Sequence, residues 1–256
     1  MNKQTVEAVK AHALAEYPRE SCGLVIAKGR KEIYLPCSNA AQGHGHFMIS
    51  GQDYADAEDQ GQVIMVVHSH PDMPAKPSEA DRVACEASGL PWCIVSIMPG
   101  GDGPQVAEVI SFAPEGYVAP LVGRQFYHGV LDCYTIVQDW FSRQRGIVLP
   151  DFEREDNWWE GEHELYLENF EKAGFTPIGD GQSVQVGDVI LMQLRSERVN
   201  HAAVFIGAEP LKEAPDLFTV PDAMLHHVYG KLSERTPYGG YWREITRLII
   251  RHKDLR

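Results

Sequence analysis

Five apolar residues, Val63-Ile-Met-Val-Val67, run straight into His68-Ser-His70-Pro71, and no other stretch limits the fold as tightly. A short apolar run rich in β-branched residues specifies a core strand. Residues two apart on extended backbone face the same way, so His68 and His70 leave the strand end on one side. Ser78 and Asp81 then form an S-x-x-D capping pattern, which predicts a helix over about 78–88 with the Asp81 carboxylate in its first turn. Two imidazoles and one carboxylate make a three-ligand zinc site whose fourth position is left for water. A lone histidine would read as solvent-facing or as a hydrogen-bonded core residue; Pro71, Ser78 and Asp81 at these offsets turn the pair towards metal.

Charge and length remove several classes. Lys and Arg number 23 against 36 Asp and Glu, a formal net charge of −13 with no basic stripe, which argues against a protein that tracks a nucleic-acid backbone. No segment approaches the roughly 20 apolar residues that span a bilayer. The N-terminal stretch MNKQTVEAVKAHALAEYP reads as an amphipathic helix and not as a secretory peptide. Five cysteines, an odd number without C-x-x-C spacing, suit synthesis in a reducing compartment. At 256 residues the chain can hold two domains, and Ser111–Arg124, SFAPEGYVAPLVGR, is the best joint, placing a first domain at 1–114 and a second at 115–256.

In the first half, Val6, Val9, Ala13 and Leu14 recur at helical spacing over 3–16, and Pro18 ends the pattern. Leu24–Ala27 and Glu32–Leu35 flank Gly29 as a small antiparallel hairpin. Phe47–Ser50 reads as a short strand, Asp53–Gln60 as a polar helix or turn, and Trp92–Ile97 and Val106–Phe112 as strands separated by PGGDGP. Together these predict a compact α/β layer architecture. His44 and His46, in the glycine-flanked QGHGHF, read as solvent-facing loop histidines, and Cys22 as a small buried side chain.

Glu20 in YPRESCG, His68-Ser-His70-Pro71, Ser78, and Asp81 ten residues beyond His70 together match every element of one signature. Residues 1–112 thereby resemble the JAMM metallopeptidase family, also called JAB or MPN. The resemblance implies that His68, His70 and Asp81 bind Zn²⁺ while Glu20 holds the zinc-bound water and shuttles its proton. Ser78 has two readings, as helix N-cap and as a group that steadies an oxyanion.

In the second half, Ile136, Val137, Trp140 and Phe141 line one side of a helix, which puts Cys133 at its N-terminus. Unpaired amides and the helix dipole there are expected to lower the thiol pKa. Asn157–Ala173 reads as an amphipathic helix, Val189–Leu194 as a strand, and Val199–Gly207 as a strand with His201, Ala203 and Phe205 on one face. Met224–Tyr229 is a further short strand. A nucleophilic cysteine needs a base and a third group that fixes the base's tautomer, and Cys133, His201 and His226 can supply all three.

The DCY around Cys133, VGDVI at 186–190, HAAVFIG at 201–207 and MLHH at 224–227 resemble the NlpC/P60 family of papain-like cysteine peptidases over residues 123–243. By that resemblance Cys133 is nucleophile, His201 base and His226 orienter, with His227 the neighbouring alternative; the 25-residue step from His201 to His226 carries an insertion, EPLKEAPDLFTVPD. Tyr127, in FYHG, either donates to an oxyanion beside the Cys133 amide or packs as an aromatic against the helix. The fold class is then α/β and α+β, a JAMM-like domain followed by a papain-like one. This domain order, and the ending YGKLSERTPYGGYWREITRLIIRH, resemble a family of tail tip proteins in long-tailed bacteriophages. That likeness implies two peptide hydrolases with phage tail tip proteins and bacterial peptidoglycan as partners, made in the host cytoplasm and acting at the cell wall from the tail tip. The rival it leaves is a structural assembly factor whose peptidase-like domains mainly bind.

Overall fold

Val9 and Ala13, one helical turn apart, are fully buried, and Asn2 accepts from the Thr5 amide, so Lys3–Glu16 forms the capped helix α1. In the computed structural model, which describes residues 1–41, 46–179 and 181–255, the chain divides into two compact units, Met1–Val118 and Ala119–Arg256. After α1 come strands β1 (Cys22–Lys28) and β2 (Lys31–Cys37), helix α2 (Gly51–Gln60), strand β3 (Gln62–Pro71), helix α3 (Glu79–Ser88), and strands β4 (Trp92–Gly100) and β5 (Gly103–Phe112). The sheet order is β2-β1-β3-β4-β5, antiparallel except for β3 beside β4. A parallel pair needs a crossover, and α3 supplies it.

Strand alternation sorts the side chains into two layers. Val25, Val67, Val95 and Ile97 pack against α1, while Leu24, Ile26 and Val66 pack against Ala57 of α2 and Cys85 of α3. His68 follows the Val66 face, so β3 delivers it to the side on which α3 begins. Gly23 is needed where it stands: a Cβ there would lie 2.5 Å from the Tyr34 hydroxyl oxygen and 2.6 Å from the Leu35 carbonyl. Gly89 ends α3 at φ +65°, a left-handed cap that favours glycine.

Two expectations need correction. Phe47–Ser50 is not a strand: Asn39 bonds the Met48 amide and the His46 carbonyl, and Ser50 is the N-cap of α2, so these groups are not free for a ladder. The β4–β5 hairpin runs into PGGDGP, leaving only Gly101 and Asp102 as its turn. His44 lies outside the described residues, whereas the His46 carbonyl is held by Asn39.

The second unit holds α4 (Cys133–Trp140), continued by a π-helical turn over Phe141–Arg145, then α5 (Leu165–Asn169), β6 (Phe175–Pro177), β7 (Val189–Met192), β8 (His201–Gly207), β9 (Ala223–His226), β10 (Glu234–Pro237), α6 (Tyr241–Glu244) and β11 (Thr246–His252). Its sheet order is β10-β9-β8-β7-β11-β6, and each neighbouring pair is antiparallel. Ile136, Val137 and Trp140 of α4 pack on Ala202, Val204 and Ile206 of β8; the opposite face gathers Ala203, Phe205, Met224 and Tyr238 with Trp242. Asp188 of the VGD motif is fully buried and accepts from Arg251 Nε and Nη2 at 2.7 Å each, a charge pair of the kind burial demands. The expected helix over 157–173 is broken into a 3₁₀ turn at Trp158–Glu160 and the five-residue α5. Gly161 interrupts it, and Glu160 and Glu164, four apart, repel on a helical face.

Candidate metal centre and candidate cysteine site

The end of β3 and the start of α3 bring three ligand atoms together. His68 Nε2 and His70 Nε2 lie 3.1 Å apart, His68 Nε2 is 3.2 Å from Asp81 Oδ1, and His70 Nε2 is 3.4 Å from Asp81 Oδ2. A tetrahedral zinc with Zn–N bonds of about 2.0–2.1 Å places its ligand atoms about 3.3 Å apart, so the set fits that ion. The capping box fixes the carboxylate, because the Ser78 amide donates to Asp81 Oδ2 at 2.7 Å and the Asp81 amide donates to Ser78 Oγ. His70 Nδ1 faces the Pro74 carbonyl at 3.0 Å, which holds the proton there and leaves Nε2 as an acceptor. Among the described residues His68 Nδ1 has no such partner, and the Phe47 ring stacks on His68 at 4.6 Å.

Burial works against the charge of every group here. Glu20, 5% exposed, is pushed up to about 8 by burial, with His70 pulling down and Asp81 pushing up. Asp81 also meets a burial penalty, but the hydrogen bonds from His68 and His70 hold its carboxyl well below the usual range. Ser78 Oγ is engaged as the N-cap.

At the second site, Asp132 caps α4 by accepting from the Tyr134 and Thr135 amides at 2.9 Å each. That carboxylate uses two amides that were expected to stabilise a thiolate and sets a negative charge beside Cys133. Burial, then Asp132, push the Cys133 thiol up to about 11, against smaller downward pulls from Tyr166 and the Ala202 amide. The expected lowering is therefore reversed. His201 is held well below the usual imidazole range by burial, so both groups are neutral in the resting protein.

His201 Nε2 lies 3.0 Å from His226 Nδ1, with the rings tilted 69°. His227 falls beyond β9 and packs edge-on against Phe126, so of the two adjacent histidines it is His226 that reaches His201. Cys133 Sγ meets the Tyr166 hydroxyl at 3.1 Å and the Asn200 carbonyl at 3.9 Å. Among the described residues no hydrogen bond joins that sulfur to His201, whose ring turns towards His226 and Trp242. Tyr127 donates its hydroxyl to Gln125 at 2.8 Å. The phenol on the thiol is thus Tyr166, carried on α5, and nothing in its local sequence marks it; only the folded strap reveals it.

The half-buried Cys133 is the one cysteine of the five that is not buried, which makes its chemistry measurable. Alkylation follows the thiolate, so its rate is expected to climb about tenfold per pH unit towards an inflection near 11. Because the Tyr166 hydrogen bond favours the thiolate, Tyr166→Phe is expected to move the inflection to higher pH. An inflection unmoved or lower in Tyr166→Phe would contradict this electrostatic account.

Residues 2–108 match prokaryotic homologs of the JAB domain, and residues 123–251 match the NlpC/P60 family, so the chain joins two domains of peptidase families. Over its full length it is 42% identical to tail tip assembly protein K of Escherichia phage N15, covering 97% of that protein. It is 36% identical to tail tip assembly protein K of Escherichia phage lambda, over 81% of this chain and 91% of that one. The chain belongs to the bacteriophage tail tip assembly protein K family. A solution structure of a protein from Desulfitobacterium hafniense is 26% identical over 42% of this chain and 88% of that one, with a TM-score of 0.33. No helix among the described residues is long and apolar enough to cross a membrane.

Proposed function

We propose that this tail tip assembly protein carries two peptide-hydrolysing centres, a cysteine endopeptidase acting on peptidoglycan peptides and a zinc peptidase or isopeptidase acting on wall peptides or tail proteins. Its partners are then phage tail tip proteins and the bacterial wall. The observation that supports this reading most is the half-buried thiol at the start of α4, which packs on the paired strands β8 and β9 that hold His201 and His226 3.0 Å apart.

In the cysteine unit, Cys133 releases Tyr166 and passes its proton to His201 Nδ1, the nitrogen not engaged by His226. Sulfur attacks the peptide carbonyl, and the Cys133 amide, left free by the Asp132 cap, faces the developing oxyanion. The proton on His201 goes to the leaving amine, and water then resolves the thioester. In the first unit, His68, His70 and Asp81 would hold zinc, which would supply Lewis acidity and lower the pKa of a water on it to about 7. Glu20 holds and passes on a proton at its carboxylate, and Ser78 keeps Asp81 oriented.

Assays of Cys133→Ala and His68→Ala separately, on purified wall and on tail proteins, test both halves. Each variant is expected to lose one cleavage and keep the other. If neither loses any cleavage while tails still assemble, the centres are not hydrolytic. A second reading, an assembly factor whose peptidase-like domains mainly bind partners, is favoured by the Cys133 sulfur resting on Tyr166 instead of His201.

A further inference from the structure

Two neutral imidazoles share two ring protons among four nitrogens, and their surroundings decide where those protons sit. For His201 to accept a proton on Nδ1, its Nε2 must already carry one and donate it across the 3.0 Å contact to His226 Nδ1. His226 must then carry its own proton on Nε2. That nitrogen is buried and has no hydrogen-bond partner within ordinary range among the described residues, yet the Glu234 Oε1 carboxylate oxygen stands 3.5 Å from it. The antiparallel register of β9 and β10 sets Glu234 directly opposite His226, so the approach comes from the ladder itself. Trp242 of α6 packs edge-on to the His226 ring, 4.6 Å between centroids at 84°. The charged and titratable groups around His226 are therefore His201 on β8, His227 beside it and Glu234 on β10.

We propose that Glu234 is a positioning residue: its carboxylate fixes His226 as the Nε2–H tautomer and, through it, His201 as the Nε2–H tautomer with Nδ1 open. The inference rests on the cysteine reading above. Glu234 acts through His226, while the groups that meet the Cys133 sulfur are Tyr166 and the Asn200 carbonyl. When the Cys133 proton moves to His201 Nδ1, the other two protons stay on their nitrogens, and the carboxylate charge offsets the new imidazolium from the far end of the chain. Nothing is oxidised or reduced, and no proton leaves the chain of groups.

The test uses the full chain labelled with ¹⁵N-histidine, reading the ring tautomers from two-bond ¹H–¹⁵N correlations, beside iodoacetamide labelling of Cys133 at pH 7. His226 is expected as Nε2–H in the native protein and in Glu234→Gln, whose side-chain oxygen still accepts. Glu234→Ala is expected to lose that preference and to alkylate roughly three- to fivefold more slowly, the scale of a half-exposed carboxylate acting on the imidazolium that forms at His201 as the thiol ionises. An unchanged His226 tautomer in Glu234→Ala overturns the proposal, as does an Nδ1–H tautomer in the native protein. A tautomer shift in Glu234→Ala, in a protein that cuts no wall peptide, upholds the positioning role and removes the peptidase reading instead.

Discussion

Cys133→Ala is expected to abolish release of peptide fragments from purified peptidoglycan, a loss of about 10⁴-fold or more in rate. The size follows from the role proposed for the sulfur: without it no acyl intermediate could form, and the remaining donors would only bind the substrate. The substitution leaves the helix start intact, because Asp132 caps α4 through the Tyr134 and Thr135 amides and needs nothing from the thiol. Far-ultraviolet circular dichroism and the melting temperature are therefore expected to stay close to native, and chromatography of wall digests reads the loss. Fragment release by Cys133→Ala at the native rate would mean that any cutting comes from elsewhere.

The second large effect is on metal. Purified native protein is expected to hold about one zinc per chain and Asp81→Asn less than about a tenth of that, measured by elemental mass spectrometry. Asparagine is the informative replacement, since its side-chain oxygen still accepts from the Ser78 amide and keeps the helix start, while the charge between His68 and His70 is gone. Added zinc is then expected to raise the melting temperature of the native protein and not that of Asp81→Asn, because only a ligand that prefers the folded state stabilises it. Equal zinc in both proteins would remove Asp81 from the ligand set.

Legibility followed the range of the interaction. The His68–His70 pair and the Ser78–Asp81 box could be read from the chain because each is a local rule, period two on a strand and period three at a helix start. The face carrying His201, Ala203 and Phe205 was legible for the same reason. Contacts set by tertiary packing were not. Tyr166 reaches Cys133 from 33 residues away, on a strap whose acidic run defeats a continuous helix. Glu234 meets His226 through a hairpin register that no motif spells out. The thiol's upward shift has no local signature in the chain, because burial outweighs a helix dipole there and the Asp132 carboxylate adds its charge beside the sulfur.

Acid-quenched mass spectrometry of the intact chain, mixed with soluble peptidoglycan fragments and sampled through the first turnovers, puts the cysteine centre to its most direct trial. The expected spectrum shows a transient mass increase equal to one acyl fragment, mapped to Cys133 and absent from Cys133→Ala. Native protein that cleaves fragments without any acylated Cys133, or that neither cleaves nor acylates, would contradict the account.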